Sequence, residues 1–322
     1  MLFWRLICSS TRYFKRILFA LSSSPFYTSQ VIFPIATTPI PLAIDGHPRF
    51  QFFKDCIGAV DGTHIRAFVP ERDHATMRNR KGFLSQNCLF ICNFDFLFVY
   101  ALTGWDGVTA DAALWSTARS TDLRIPNGKY LLADAGFGIS MTSMVPYRGV
   151  RYHLREWRQA RLRYVCTITG HAFPGPISLL FFHSSPQNPR ELFNLRHAAL
   201  RNIIERIFGV MKHRWRLLQF PAEYNMDIQA CIPTALCALH NFMRRYDPDE
   251  IFNPDFLDGY ENEEGVNADG DMEEDINEML AGPLADRPVN AAERRQAEFL
   301  REQIAQEMWT DYQHTLRQRG LL

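Results

Sequence analysis

Three carboxylates stand in local sequences that suit them for catalysis. Asp61 follows the apolar run 56–60 and Asp134 follows the apolar run 130–133, and a small residue comes after each. Glu205 lies instead within a helical pattern. A buried strand can deliver an aspartate at its carboxyl end, although a single aspartate after a strand is more often a turn former. Three such acids in one chain favour a shared site.

Oxygen ligands of this kind suit divalent cations. Mg²⁺ prefers a few carboxylates together with water and substrate phosphate. Two ions about 4 Å apart activate a water on one side of a phosphodiester and stabilise the leaving oxygen on the other. We therefore predict that Asp61, Asp134 and Glu205 are catalytic and hold two ions of Mg²⁺ or Mn²⁺.

Two further residues are candidates for auxiliary roles at this site. His64 follows the first acid closely and either supports a metal ligand or is an ordinary strand histidine. Asp111 is either a fourth carboxylate of the site or a helix cap, and its position favours the cap.

The charge of the chain is divided unequally along its length. The formal net charge is zero, yet residues 1–246 contain 29 Lys and Arg against 15 Asp and Glu. Residues 247–278 contain 14 acids and neither Lys nor Arg. A basic body of this kind is typical of proteins that bind polyanions, and the acidic tract is either a disordered linker or a tail that screens the body or binds another partner.

An arginine-rich segment, residues 148–163, is the best candidate for gripping a nucleic acid by its phosphates without reading its sequence. Two more side chains precede Glu205 by two turns and one turn on roughly the same helix face. The predicted DNA contacts are Arg148, Arg151, Arg155, Arg158, His197 and Arg201.

The elements that must position these residues suggest an α/β fold. An amphipathic helix at 11–22 precedes a proline-rich connector. The remaining pattern predicts one sheet whose end gathers the two aspartates, with a helix that carries Glu205 across it. The predicted strands are 56–61, 64–69, 88–95, 97–103 and 129–134, and the predicted helices are 109–123, 189–218, 226–245 and 291–319.

The cysteines and the hydropathy of the chain indicate its redox compartment and whether it crosses a membrane. Seven cysteines, most of them in apolar runs, indicate buried thiols in a reducing compartment. No apolar stretch reaches the roughly 20 residues of a membrane span, so we expect no membrane partner.

Four motifs stand out along the chain: FFKDCIGAVDGTHI at 52–65, DAGF at 134–137, IERIFG at 204–209 and ALHNF at 238–242. Together they resemble the Harbinger (PIF-like) DDE transposases and their domesticated nuclease relatives. This resemblance implies a ribonuclease H-like α/β fold, a mixed sheet flanked by helices, and a nuclear enzyme that cuts double-stranded DNA, with the three acids as its metal-binding triad. Related transposases use a separate Myb-like DNA-binding partner.

The chain departs from the family pattern in several places. Relatives have a longer helical region before the first aspartate, so residues 1–50 are interpreted as a truncated helical region and connector. Relatives usually show a His-Asp pair where this chain has Ala110 and Asp111. Residues 164–185 are an atypical insert, either a retained intron that begins at a plausible splice donor or a genuine inserted strand.

The predicted organisation is a DDE nuclease domain at 51–246, an acidic disordered linker at 247–290 and a C-terminal helix at 291–322. The predicted activity is hydrolysis of DNA by metal-activated water, with strand transfer as a further step. Two alternatives stay open: a domesticated DNA-binding or regulatory protein without catalysis, and an inactive transposon relic.

Overall fold

A computed structural model of the chain describes residues 2–152, 185–247 and 291–321, with side chains from residue 10 onward. Arg155, Arg158, most of the insert and nearly all of the acidic linker therefore lie outside the described residues. The strands are β1 (Cys56–Arg66), β2 (Ser85–Cys92), β3 (Phe98–Asp106), β4 (Tyr130–Leu132) and β5 (Ser143–Met144). The helices are α1 (Leu2–Ser22), α2 (Phe26–Gln30), α3 (His74–Met77), α4 (Asp111–Thr121), α5 (Pro189–Arg214), α6 (Met226–Tyr246) and α7 (Ala291–Gln318).

The five strands form one mixed sheet in the order β3-β2-β1-β4-β5. Strands β1, β2 and β3 pair antiparallel as a meander, whereas β4 runs parallel to β1 and β5 runs parallel to β4. Helices cover both faces of this sheet. The arrangement confirms the ribonuclease H-like α/β fold that the resemblance implied.

The alternation of side chains along the central strands creates two cores. Successive residues of a strand point to opposite faces of the sheet. Ala59 and Phe90 therefore pack with residues of α5, α6 and α7. Val60 and Leu89 pack on the other face against Leu114 and its neighbours on α4. All eight residues of β2 are buried: residues 88–92 are an apolar run, whereas Ser85, Gln86 and Asn87 are polar. The side-chain amide nitrogens of Gln86 and Asn87 are hydrogen-bonded, as is typical of buried polar groups.

Strand β1 is longer than the sequence predicted. The pattern indicated two strands, 56–61 and 64–69, with a turn at Gly62, but the structure has one continuous strand that stays paired with β2 through this point. Gly62 serves a different purpose there: a Cβ atom at this position would collide with the carboxylate of Asp111. The glycine allows the Asp111 side chain to approach the strand closely. In the sequence, a glycine used in this way cannot be told from one that marks a turn.

The remaining elements pack against this centre. Leu18 and Phe14 of α1 contribute to the core, and α1 contacts α6. Helix α7 lies along α5 and buries Ile304 and Met308. Among the described residues, none of the helices combines the length and the apolar character that crossing a membrane requires. The cysteines of β1 and β2 are buried free thiols, and burial raises the pKa of Cys56 to about 12.

Candidate active site

The fold brings the three predicted acids to one place. Asp61 lies in the middle of β1, opposite Phe90 of β2, rather than at the strand end that the sequence indicated. Asp134 lies two residues beyond the end of β4, the parallel neighbour of β1. Glu205 comes from α5, which contacts β1. All three carboxylates surround a single guanidinium group, that of Arg201.

Each aspartate is oriented by a backbone amide. Gly62 N donates to Asp61 Oδ1 at 3.0 Å, and Gly136 N donates to Asp134 Oδ1 at 2.8 Å within the 3₁₀ turn Ala135–Phe137. One oxygen of each carboxylate is thereby fixed. The second oxygen, Oδ2, is the one directed at Arg201 in both cases.

Arg201 is the central cation of this cluster. Its Nη2 lies 2.8 Å from Asp61 Oδ2 and 4.0 Å from Asp134 Oδ2, and its Nη1 lies 2.7 Å from Glu205 Oε1 one helical turn away. The arginine side chain is 6% exposed, whereas that of Glu205 is 53% exposed. The site is therefore deep at the aspartates and open to solvent at the glutamate.

Burial makes the charge on Asp61 costly. Desolvation raises the pKa of its carboxyl group well above the usual range, and Arg201 lowers it, while Asp134, Asp111 and Glu205 raise it by repulsion. For Arg201, burial lowers the pKa, but the surrounding acids, led by Asp61, raise it overall. The cluster contains more negative than positive charge and would gain from a further cation.

The donor set fits a hard divalent ion, but its arrangement differs from the prediction. Carboxylate oxygens are what Mg²⁺ and Mn²⁺ bind, and two of them, the Oδ2 atoms of Asp61 and Asp134, converge. Within the described parts of the chain, however, no three His, Cys, Asp or Glu side chains are arranged to hold a metal ion. The physical reason is that the guanidinium of Arg201 lies among the acids.

Asp111 lies beside the cluster. It is the first residue of α4, while Ala110 occupies the N-cap position, so Asp111 is not the cap that the sequence favoured. Asn87 Nδ2 donates to Asp111 Oδ1 at 2.7 Å, and the carboxylate lies against Gly62, next to Asp61. Because Gly62 and Asp61 point to opposite faces of the sheet, this carboxylate lies on the α4 face, from which its charge raises the pKa of Asp61.

The ring nitrogens of His64 and His197 contact other parts of the protein. His64 Nδ1 lies 3.1 Å from Ser85 Oγ on the neighbouring strand, as expected of a satisfied strand histidine. His197 is fully buried, its Nε2 lies 2.9 Å from Met144 O, and burial lowers its pKa to about 3. The predicted phosphate contact is wrong for His197, because a neutral buried ring presents no surface to DNA.

The predicted DNA-binding arginines separate into different groups. Arg201 is engaged with the acids, so its predicted phosphate contact does not describe its place in this structure. Arg151 pairs with Glu191 at 3.2 Å. Arg148 is exposed and its Nη2 donates to Ala135 O at 2.6 Å, directly beside Asp134. Of the described arginines in the segment, Arg148 is the one best placed to meet a phosphate near the site.

Sequence reasoning missed one cation at the site. Lys212 Nζ donates to Thr63 Oγ1 at 3.0 Å, two residues beyond Asp61 on β1. Lys212 follows Glu205 by seven residues, a spacing that places both on one face of a helix. That spacing was readable in the sequence, but it lay within a general run of basic residues.

Comparison with known proteins supports the motifs. A family model described as DDE superfamily endonuclease matches residues 60–241, more than half of the chain. Five curated relatives carry the name "Putative nuclease HARBI1", and three of them illustrate the match. The Homo sapiens protein is 24% identical over 205 residues, covering 62% of this chain and 48% of that protein. The Mus musculus protein is 25% identical over 221 residues, covering 66% and 53%, and the Xenopus laevis protein is 24% identical over 202 residues, covering 61% and 48%.

These matches confirm the resemblance to the DDE transposase-derived nucleases. The chain spans about half the length of the curated relatives it matches. No solved structure matches it.

Proposed function

The chain belongs to the DDE superfamily endonucleases, and on that basis we propose that it is a divalent-metal-dependent nuclease that hydrolyses phosphodiesters of double-stranded DNA. The observation that carries the proposal is the convergence of Asp61 Oδ2 and Asp134 Oδ2 on one cationic atom. Glu205 closes the cluster from the helix. Two buried acids directed at a common point are costly unless a cation neutralises them.

Asp61 and Asp134 would hold the metal, with Glu205 as a third ligand on the solvent side. When bound, Mg²⁺ or Mn²⁺ supplies an activated water and stabilises the charge that develops on the leaving oxygen. The backbone amides of Gly62 and Gly136 fix the direction of the two aspartates, so little reorganisation is needed when substrate arrives.

Cations beside the acids would position the DNA strand. Arg148 lies next to the Asp134 turn and Lys212 next to the Asp61 strand. Both are suited to phosphate oxygens, which fix the register of a duplex without reading its sequence. The proposal has three further parts. The freed 3′-hydroxyl attacks target DNA in a strand-transfer step, a Myb-like partner supplies target recognition, and the protein acts in the nucleus.

Substitution of the acids tests the activity. Asp61→Asn, Asp134→Asn and Glu205→Gln should each remove Mg²⁺-dependent cleavage of a duplex while leaving DNA binding nearly intact, because cations rather than these acids grip the phosphates. Asp55→Asn is the matched control, since Asp55 lies just before β1 and pairs with Lys129 instead. Cleavage that persists in two of the three variants would refute the assignment.

A second candidate, a DNA-binding protein without catalysis, is favoured by one observation. Arg201 supplies the cation that the acids require, so the cluster is partly neutralised without metal. Wild-type protein that binds duplex DNA but never cleaves it with Mg²⁺ or Mn²⁺ would support this candidate.

A further inference from the structure

Arg201 occupies the point on which the two aspartates converge. Its Nη2 is within 2.8 Å of Asp61 Oδ2 and 4.0 Å of Asp134 Oδ2. The other oxygen of each aspartate already accepts a backbone hydrogen bond. The two Oδ2 atoms are the oxygens that face a common cation, and the guanidinium of Arg201 holds that position.

We propose that Arg201 and the divalent ion compete for this place, so that Arg201 is a built-in counter-cation that must give up its contact with Asp61 before the metal binds. This inference rests on the proposed function and adds to it a step of exchange. A divalent ion held by Asp61 and Asp134 would repel a guanidinium that lies against the same carboxylates, because two cations would then share one small buried space.

The surroundings of Arg201 determine what the exchange costs. The side chain is nearly buried, and its Nε has no hydrogen-bond partner among the described residues. Its second contact, Nη1 to Glu205, reaches the half-exposed edge of the site. The guanidinium can therefore move outward with Glu205 without crossing the apolar core. In that position it would face the DNA backbone, where guanidinium groups bind phosphate well.

The competition makes opposite predictions for stability and for metal affinity. Without metal, Arg201 offsets the repulsion of buried acids, so its removal should destabilise the protein. With metal, the same removal should tighten binding, because the ion no longer displaces a cation. An arginine that merely supported the fold would lower stability without tightening metal binding.

The experiment measures the dissociation constant of Mn²⁺ for the full chain. Mn²⁺ is titrated into the protein, and the electron paramagnetic resonance signal of the unbound ion reports how much is free. The proteins compared are wild type, Arg201→Met, Arg201→Lys and Arg196→Met. Arg201→Met should bind Mn²⁺ about 5-fold more tightly or better, the low end of typical coupling between two ligands. Arg201→Lys should lie between it and wild type, since one ammonium cannot bridge two acids as a guanidinium does.

Arg196→Met is the matched control. Arg196 is buried on the same helix, but its guanidinium lies over the ring of Phe52 rather than among the acids. Its replacement should lower stability without changing Mn²⁺ affinity. The melting temperature in chelator should fall for Arg201→Met, and the rise on adding Mn²⁺ should exceed that of wild type. If Arg201→Met folds only with Mn²⁺, its apparent affinity includes the cost of folding, and the comparison of Arg201→Lys with wild type decides instead.

Mn²⁺ affinity that is equal or weaker in Arg201→Met would overturn the competition. If that variant does not fold under any condition, Arg201→Lys decides, and an affinity like that of wild type rejects the proposal. Wild-type binding that is unchanged in Asp134→Asn would instead show that the ion binds elsewhere, which contradicts the proposed function itself.

Discussion

At the scale of residues, the two oxygens of each aspartate have different contacts, and this difference decides which substitutions can probe the site. Oδ1 of Asp61 and Oδ1 of Asp134 accept backbone amides, and Oδ2 faces the cation. An asparagine can keep the first hydrogen bond through its carbonyl oxygen and lose only the charge. The Asp→Asn variants therefore test charge and metal binding with little disturbance of the local turns.

Buried neutral histidines should make the protein sensitive to acid. His197 has its pKa lowered to about 3, whereas an unfolded histidine titrates near 6.5, so the unfolded chain binds the proton first. Stability should fall as the pH decreases from about 6.5 towards about 3, by about 1.4 kcal/mol per pH unit for this residue. Urea unfolding of wild type and His197→Gln as a function of pH measures the difference.

The glutamine variant keeps a donor for Met144 O but cannot titrate, so its stability should depend less steeply on pH. His314→Gln provides the surface comparison, because His314 lies exposed on α7. Parallel curves for His197→Gln and wild type would contradict the burial of a neutral ring.

Arg148 should contribute to phosphate binding near the acids. Its replacement by alanine should reduce the slope of log affinity against log salt by roughly 0.9 if one phosphate contact is lost. Arg294→Ala is a suitable control, because Arg294 forms an exposed pair with Glu298 on α7. An unchanged slope for Arg148→Ala would mean that this arginine supports the Asp134 turn through Ala135 and does not grip DNA.

Single residues also show the limits of sequence reasoning here. The three acids could be singled out from the sequence, because two of them follow apolar runs and the third lies in a helical pattern. The position of Asp61 within a continuous strand could not be predicted, since the pairing of β1 with β2 decides it. The role of Arg201 could not be predicted either. Its spacing of four residues from Glu205 places the two on one face, but burial and the approach of Asp61 come from the packing of α5 on the sheet.

At the scale of elements, β1 and α4 meet more closely than their patterns suggest. The sequence of β1 contains a turn signal at Gly62, and the tertiary fold overrides it because Asp111 of α4 takes up the space of a side chain. The long helices were predictable from periodicity, whereas the order of the strands in the sheet and the short strand β5 were not predicted. Exact strand ends were not, since pairing with neighbours decides them.

Helix α7 holds the chain that leads from the sheet into the arginine-rich segment. Arg301 donates to Val145 O at 3.1 Å and to Pro146 O at 3.0 Å, and its guanidinium lies 4.0 Å from the ring centre of Tyr147. Tyr147 OH donates to Glu302 at 3.0 Å. Helix α7 lies beyond the part of the chain that the family model matches, yet it is packed into the core.

Arg301→Ala should therefore lower the free energy of unfolding by about 2–4 kcal/mol, because it removes two charged hydrogen bonds and a cation–π contact. Urea denaturation measures the change, with Arg294→Ala as a surface control expected within about 0.5 kcal/mol of wild type. A small effect of Arg301→Ala would show that α7 is only loosely attached.

At the scale of the whole molecule, the basic body and the acidic tract offer two separate places for a divalent ion. Residues 247–278 contain 14 acids, and carboxylate-rich sequence attracts cations without any defined site. Metal binding by the chain is thus not sufficient evidence for the nuclease. The ion must be located at Asp61, Asp134 and Glu205.

Thermal unfolding with and without Mg²⁺, in wild type and in Asp134→Asn, locates the ion most directly. An ion that binds the assembled site at ten times its dissociation constant stabilises the fold by about 1.4 kcal/mol, which raises the melting temperature by a few degrees in a domain of this size. We expect that rise in wild type and its loss in Asp134→Asn. Equal rises in both proteins would contradict a metal site at the three acids.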